Sequence, residues 1–248
     1  MGTTGLIWFT LLSLLAEVLG TVGGFGSSLF FVPIASNFID FHSVLGVTAI
    51  FHVCSNLTKI SLFRHGFNKK IIIRVGLPAV LFVTVGAYVS RFLNSDYLEL
   101  ALSIFLITVS TLLLLLRDKS MHPSLFNAFV GGALSGFMAG LLGSGGVIRG
   151  LTLSAFNVQK NVFIATSAVI DLAVDLSRGA VYVTNGYVHK HDLYLIAILV
   201  VVSIVGTLIG KKILDYFSEA RFKYFVLALI LFIGCASLIK LVIVNVWW

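Results

Sequence analysis

Apolar residues run along this chain in long blocks separated by short polar stretches, and the blocks are about 17 to 25 residues long, the length a helix needs to cross a bilayer. They lie near Val44–Phe63, Val75–Ser90, Leu100–Leu116, Asn161–Val183, Leu193–Gly210 and Phe225–Val244. Two further apolar regions, Leu6–Ile39 and Leu125–Phe156, are too long for one crossing and are interrupted midway by the glycine clusters GTVGGFGSS and GLLGSGGVIRG. Each is expected to form two segments joined by irregular backbone.

Those interruptions repeat. Displacing the sequence by 120 positions lays Gly20, Gly23 and Gly26 on Gly140, Gly143 and Gly146, then Gly66 on Gly186 and Gly86 on Gly206. The pattern predicts a duplication, with residues 1–117 as the first transmembrane repeat, 118–123 as a linker and 124–248 as the second. Each repeat reads as a broken helix pair followed by three transmembrane helices. Matching interruptions in two halves are the expected mark of a secondary transporter, and the breaks point to its site.

Composition places the chain in lipid: 58% of its 248 residues are hydrophobic and 11% charged, against about 25% charged in soluble domains. A soluble enzyme or nucleic-acid binder is excluded, and the net charge of +7 becomes a topology signal, because short loops rich in Lys and Arg stay cytoplasmic. If each broken pair crosses once, the halves are parallel and the basic loop residues divide poorly between the two sides. If each pair is re-entrant, the second half is inverted. Arg64, Lys69, Lys70, Arg74, Arg117, Lys119, Lys160, Lys211, Lys212, Arg221 and Lys223 then lie on one side, with Arg91, Lys190 and Lys240 on the other. This split favours an all-α polytopic protein of two inverted repeats, both termini outside, with Trp247 and Trp248 as an interfacial anchor. Cys54 and Cys235 lie in apolar segments without metal-ligand spacing and read as packing residues.

The motifs GTVGGFGSSLFFVPIA with GVTAIF, and the second copy GLLGSGGVIRGLTLSAF with IATSAV, resemble the TauE/SafE sulfite-exporter family over nearly the whole chain. The resemblance implies a multi-pass permease of the bacterial inner (cytoplasmic) membrane that moves sulfite, a sulfonate or a related organic anion without a cofactor.

Gly132, Gly136 and Gly140, like Gly206 and Gly210, stand at the spacing that lets membrane helices approach closely, and read as packing. Gly23, Gly24 and Gly26 and their counterparts Gly143, Gly145 and Gly146 are too crowded to serve one helix face. With Ser27, Ser28 and Ser144 they are candidate substrate-binding backbone, since a half-helix starting at mid-membrane turns free amides and its positive dipole end toward an anion. Arg149 follows the second cluster and offers forked donors suited to an oxyanion; snorkelling or pairing with Glu17 is the alternative. His52, Asn56 and Lys59, with Ser55, form a polar stripe in the first half, for which ordinary interhelical hydrogen bonding is the competing explanation.

Glu17, Asp171 and Asp175 are candidate proton-coupling groups. Asp171, Asp175 and Arg178 share one helical face with Ser167; Asp175 and Arg178 can form a structural pair, which leaves Asp171 expected without a partner. Each buried charge costs at least about 2.5 kcal/mol at a helix centre, so the six charged residues of the spans, Glu17, Lys59, Arg149, Asp171, Asp175 and Arg178, should face a cavity or one another. The expected partners are a small anionic substrate, a co-transported proton and the bilayer; homodimer formation stays open. No metal site is expected, and no enzyme signature is present. The leading reading is an exporter working by alternating access. A cation-coupled uptake carrier and a non-transporting membrane scaffold are the alternatives.

Overall fold

The computed structural model describes residues 2–63, 66–115, 122–214 and 228–239. Part of the expected linker, the Trp247 and Trp248 anchor, and the basic residues Arg64, Arg117, Lys119, Arg221, Lys223 and Lys240 lie outside the described residues. Among those described the chain is all-helical, with five helices on each side of the linker. The first set is α1 (Thr3–Gly23), α2 (Ser28–Ala35), α3 (Phe41–Leu62), α4 (Lys69–Ser90) and α5 (Ser95–Leu115). The second is α6 (Leu125–Leu142), α7 (Gly146–Ser154), α8 (Lys160–Thr184), α9 (Lys190–Leu214) and α10 (Ala228–Ile239).

Six of these helices, α1, α3, α4, α5, α6 and α9, are long and apolar enough to cross a membrane. At 25 residues α8 has the length as well, but it carries Asp171, Asp175 and Arg178, with Asp175 and Arg178 buried and Asp171 partly so. Bulky apolar side chains such as Leu11 and Leu15 on α1, Leu81 on α4 and Leu208 on α9 face outward, as a bilayer solvent requires.

The glycine clusters break the chain by capping. Gly24 ends α1 and Gly143 ends α6, each in the left-handed conformation (φ 70° and 73°) that only glycine adopts without strain. After each cap the short helix folds back along the helix that precedes it. Phe9 of α1 packs edge-on against Phe31 and Phe38, with ring centroids 6.0 and 5.6 Å apart. Ser135 of α6 donates to the Gly145 carbonyl at 2.9 Å, and Thr152 lies against Gly131.

The two sets of helices exchange partners. On α6, Gly132, Gly136 and Gly140 lie in order against Val75, Ala79 and Val83 of α4, so these helices run parallel at backbone contact. On α9, Gly206 and Gly210 lie in order against Glu17 and Thr21 of α1. Helices α3 and α8 run antiparallel between them: Gly46 meets Tyr187, Asn56 donates to Asp175 at 2.8 Å, and the Asn68 amide donates to Thr166 at 3.0 Å. One end of the molecule therefore gathers the end of α3 and the starts of α4 and α8 with the end of α9, where Lys211 donates to the Leu62 carbonyl and Lys160 to that of Leu214. The opposite end gathers the start of α3 with the ends of α4 and α8, where Asn185 donates to the Ala87 carbonyl at 3.1 Å.

Candidate substrate site

The starts of α2 and α7 converge on the crossing of α3 and α8. The walls of the cavity there are Gly26, Ser27 and Ser28 from the first break, Gly143, Gly145, Gly146 and Arg149 from the second, His52, Asn56 and Lys59 from α3, and Asp171, Val174, Asp175 and Arg178 from α8, closed by Ala139. Most residues singled out from sequence thus come together. Gly23 and Gly24 instead line a neighbouring, larger cavity, and Gly24 also walls the space between it and the site. Ser144 is buried beside the second break and is the one buried side-chain polar atom without a hydrogen-bond partner among the described residues. Glu17 lies directly behind the cavity.

All six charged residues of the site are paired. Glu17 is fully enclosed: Oε1 accepts from Ser55 at 2.5 Å, Thr207 at 2.9 Å and Thr21 at 3.2 Å and faces Lys59 Nζ at 3.0 Å, while Oε2 accepts from Ser27 at 2.5 Å. Lys59 also donates to Ser55 at 2.6 Å. Such saturation is what a carboxylate needs to remain buried. Arg178 is saturated too. It donates from Nε to Asp175 at 2.8 Å and from Nη1 to the carbonyls of Ala139 and Gly143 at 3.0 and 2.9 Å. Those carbonyls belong to the last turn and cap of α6, where no intrahelical donor remains and the dipole favours a cation.

Arg149 sits in the first turns of α7, with Nε donating to Ser167 at 3.0 Å and Nη1 paired with Asp171. This corrects the expectation that Asp171 is partnerless. The sequence placed Asp171 beside Asp175 and Arg178 on α8, but its partner comes from another helix, which periodicity within α8 does not show. Glu17 pairs with Lys59 and not with Arg149. Asp171 is also the most open of the paired carboxylates, with 16% of its side chain exposed against 5% for Asp175 and 0% for Glu17.

The starts of both short helices supply neutral donors. In α2 Phe30 and Phe31 donate to the Ser27 carbonyl, and in α7 Arg149 donates to that of Gly145. The amides before them have no intrahelical acceptor, and Ser28 and Gly146, which carry such amides, line the cavity. At Gly146 a side chain would collide with the Phe25 carbonyl, so glycine there lets the two breaks touch. The cavity has room for water centres of about 20 Å3, enough for about one water. A second space of the same size, walled by Gly20, Thr21, Gly24, Ile164, Ser167 and Ala168, shares Gly26, Asn56, Lys59 and Asp171 with it. A third, of about 280 Å3, shares Gly24 and Ile164 with the second and extends past Phe25, Phe163 and Ser154 to Lys160 and Leu214. The three form a string from the site to the end of the molecule that carries Lys160 and Lys211.

A family model described as sulfite exporter TauE/SafE matches residues 9–237. The chain belongs to this family. The match takes in both glycine breaks and all six charged residues of the site. TauE/SafE proteins are membrane transporters and not enzymes. Among curated proteins and solved structures, none matches the chain. Sequence reasoning missed two parts of the site. The carbonyls of Ala139 and Gly143 were signalled only by the helix end that the glycines impose. Arg178, which the sequence presents as half of a structural pair, also forms a cavity wall.

Proposed function

We propose that the chain is a secondary transporter exporting a small sulfur-containing or organic oxyanion, such as sulfite or a sulfonate, and that the anion binds by taking the place of the Asp171 carboxylate on Arg149. The Arg149–Asp171 pair carries this reading. Lys59 and Arg178 are committed to Glu17, Asp175 and main-chain carbonyls, whereas Arg149 is held by the most open carboxylate in the site, at the junction of two cavities. An oxyanion presents the same forked acceptor geometry as a carboxylate, and the free amides at the starts of α2 and α7 add neutral donors.

Charge balance supplies the coupling. With three cations and three carboxylates the site is neutral, and an added anion leaves one uncompensated negative charge at low dielectric, which is costly. A proton on the displaced Asp171 restores neutrality, so anion and proton travel together, and export runs on the outward concentration gradient of the anion. Asp175 keeps its structural pairing with Arg178, and Glu17 keeps Lys59.

Alternating access between inverted halves is supported by the packing. Each broken pair folds back on itself, α1 with α9 and α6 with α4 form matching parallel contacts, and Lys69, Lys70, Lys160, Lys211 and Lys212 belong to one end of the molecule, as expected of a cytoplasmic face. The string of cavities leads to that end, the side from which an exporter loads. Both termini then lie outside the bacterial inner membrane.

The test is transport in proteoliposomes. Radiolabelled sulfite should move saturably down an imposed pH gradient, and Arg149→Ala should abolish the movement. Protein that folds and reconstitutes but moves neither sulfite nor sulfonates would favour a scaffold, and movement driven only by a sodium gradient would favour a cation-coupled uptake carrier.

A further inference from the structure

At the end of the molecule away from the large cavity, the turn that begins α9 brings together His189, His191 and Asp192, and we propose that these three residues form a binding site for a divalent transition metal of the Zn2+ class. Their candidate ligand atoms all lie within 4.8 Å of one another. Two imidazoles and one carboxylate are a donor set that zinc takes readily, leaving a fourth position for water or another ligand.

The spacing accommodates a shared ion, which would replace the bond the His189 side chain accepts from the Asp192 amide in the cap of this turn. His189 Nδ1 stands 3.3 Å from Asp192 Oδ2, and His191 Nε2 stands 3.4 Å from Asp192 Oδ1. Charge-assisted hydrogen bonds contract to about 2.7–2.9 Å, whereas ligands at about 2.0–2.1 Å from a tetrahedral zinc are separated from each other by about 3.3–3.4 Å. Each observed separation has that length, but they end on different oxygens of Asp192, so one ring must turn for all three residues to share an ion. The ligands also divide into a fixed and an adjustable part. Asp192 is 1% exposed and its Oδ2 accepts from the His189 amide at 3.3 Å, so its carboxylate is held in place. The two rings are stacked with centroids 5.0 Å apart and are 46% and 77% exposed, so an ion can reach them from solution and small ring rotations complete the geometry.

Ser43 extends the site to another helix. Its hydroxyl lies 3.2 Å from His189 Nδ1 and belongs to the first turn of α3, the helix that bears His52, Asn56 and Lys59. With Nδ1 given to the ion this hydroxyl is released, so Zn2+ binding exchanges the Ser43 contact between the α8–α9 turn and the start of α3 for the metal. Binding itself does not depend on the transport reading and is measured without it.

The experiment is calorimetric titration of ZnCl2 into the detergent-solubilised, chelator-treated full-length chain, with thermal unfolding and with Co2+ as a spectroscopic substitute. Wild type should bind one Zn2+ per chain, gain Tm in Zn2+, and show the intense visible absorption of tetrahedral Co2+. His191→Ala, at an exposed position where folding is not at risk, should weaken Zn2+ binding at least about tenfold and abolish both the Tm gain and the Co2+ band. His189→Ala should do the same. Absence of saturable Zn2+ binding to wild type, or equal affinity in wild type and His191→Ala, would overturn the assignment.

Discussion

His52 and Arg178 meet between α3 and α8, with Arg178 Nη2 3.1 Å from His52 Nδ1. A guanidinium can only donate, so Nδ1 is the acceptor and the imidazole proton sits on Nε2. That nitrogen lies 2.9 Å from Ser27 Oγ, which donates to Glu17 at 2.5 Å. One chain of hydrogen bonds thus runs from Arg178 through His52 and Ser27 to Glu17, joining the two breaks. His52→Ala should remove it and leave a buried Arg178 donor and the Ser27 acceptor unpaired, at a cost of about 1–3 kcal/mol. His52→Gln, which keeps one donor and one acceptor, should recover part of that. Thermal unfolding in detergent measures both, and an unchanged Tm in His52→Ala would show that the chain of bonds contributes nothing to stability.

The two carboxylates of α8 should respond differently to neutralisation. Asp175 accepts from Asn56 and from Arg178, which is 2% exposed, so Asp175→Asn strands a buried guanidinium, and breaking such pairs costs about 3–5 kcal/mol. Asp171→Asn should be milder, because that side chain is partly open and Arg149 keeps Ser167. Comparative Tm values decide the point; equal losses would contradict the division into a structural and an exchangeable pair.

Much of this arrangement is legible in the sequence. The breaks follow from crowded glycines, the spans from the length of apolar blocks, and the gathering of Arg149, His52, Asn56 and Lys59 from their distance to the breaks. Helices α4 and α5 begin at Lys69 and Ser95, several residues before the apolar blocks at Val75 and Leu100, because polar first turns are tolerated where a helix leaves the membrane. The pairing of charges was not legible. Arg149 meets Asp171, and Glu17 meets Lys59, only because helices from different parts of the chain cross at those points. Periodicity reports the face a residue occupies and not the helix opposite.

Glycines in the contacts between helices give a sharp contrast. A side chain at Gly136 would run into the Ala79 backbone, whereas at Gly179 it would rest 3.6 Å from Ala49 Cβ, an ordinary contact. Gly136→Ala should separate α4 from α6 and destabilise by at least about 1–3 kcal/mol. Gly179→Ala should change stability by no more than about 1 kcal/mol, with helix propensity in its favour. A tolerated Gly136→Ala would mean that α4 and α6 are not in backbone contact.

Asp40 caps α3 by accepting from the His42 and Ser43 amides at 2.9 and 3.4 Å, and it also accepts from Ser95 at 2.7 Å. Partial burial raises its pKa, but the hydrogen bonds from Ser95, Ser43 and His42 outweigh burial and hold the carboxyl below its ordinary value. Because the folded value is depressed, the stabilisation is present above the unfolded value of about 3.9 and is lost as pH falls through the folded one. Asp40→Ala should cost about 1 kcal/mol near neutrality, and its deficit against wild type should shrink below about pH 4. A deficit independent of pH down to acid unfolding would remove the carboxylate from the explanation.

The central claim is that anion and Asp171 compete for Arg149, and equilibrium binding of radiolabelled sulfite to the purified chain tests it most directly. Wild type should bind saturably, Arg149→Ala should not bind, and Asp171→Asn should bind at least as tightly as wild type because the internal competitor is gone. Sulfite binding to a folded Arg149→Ala with the affinity of wild type would contradict the account.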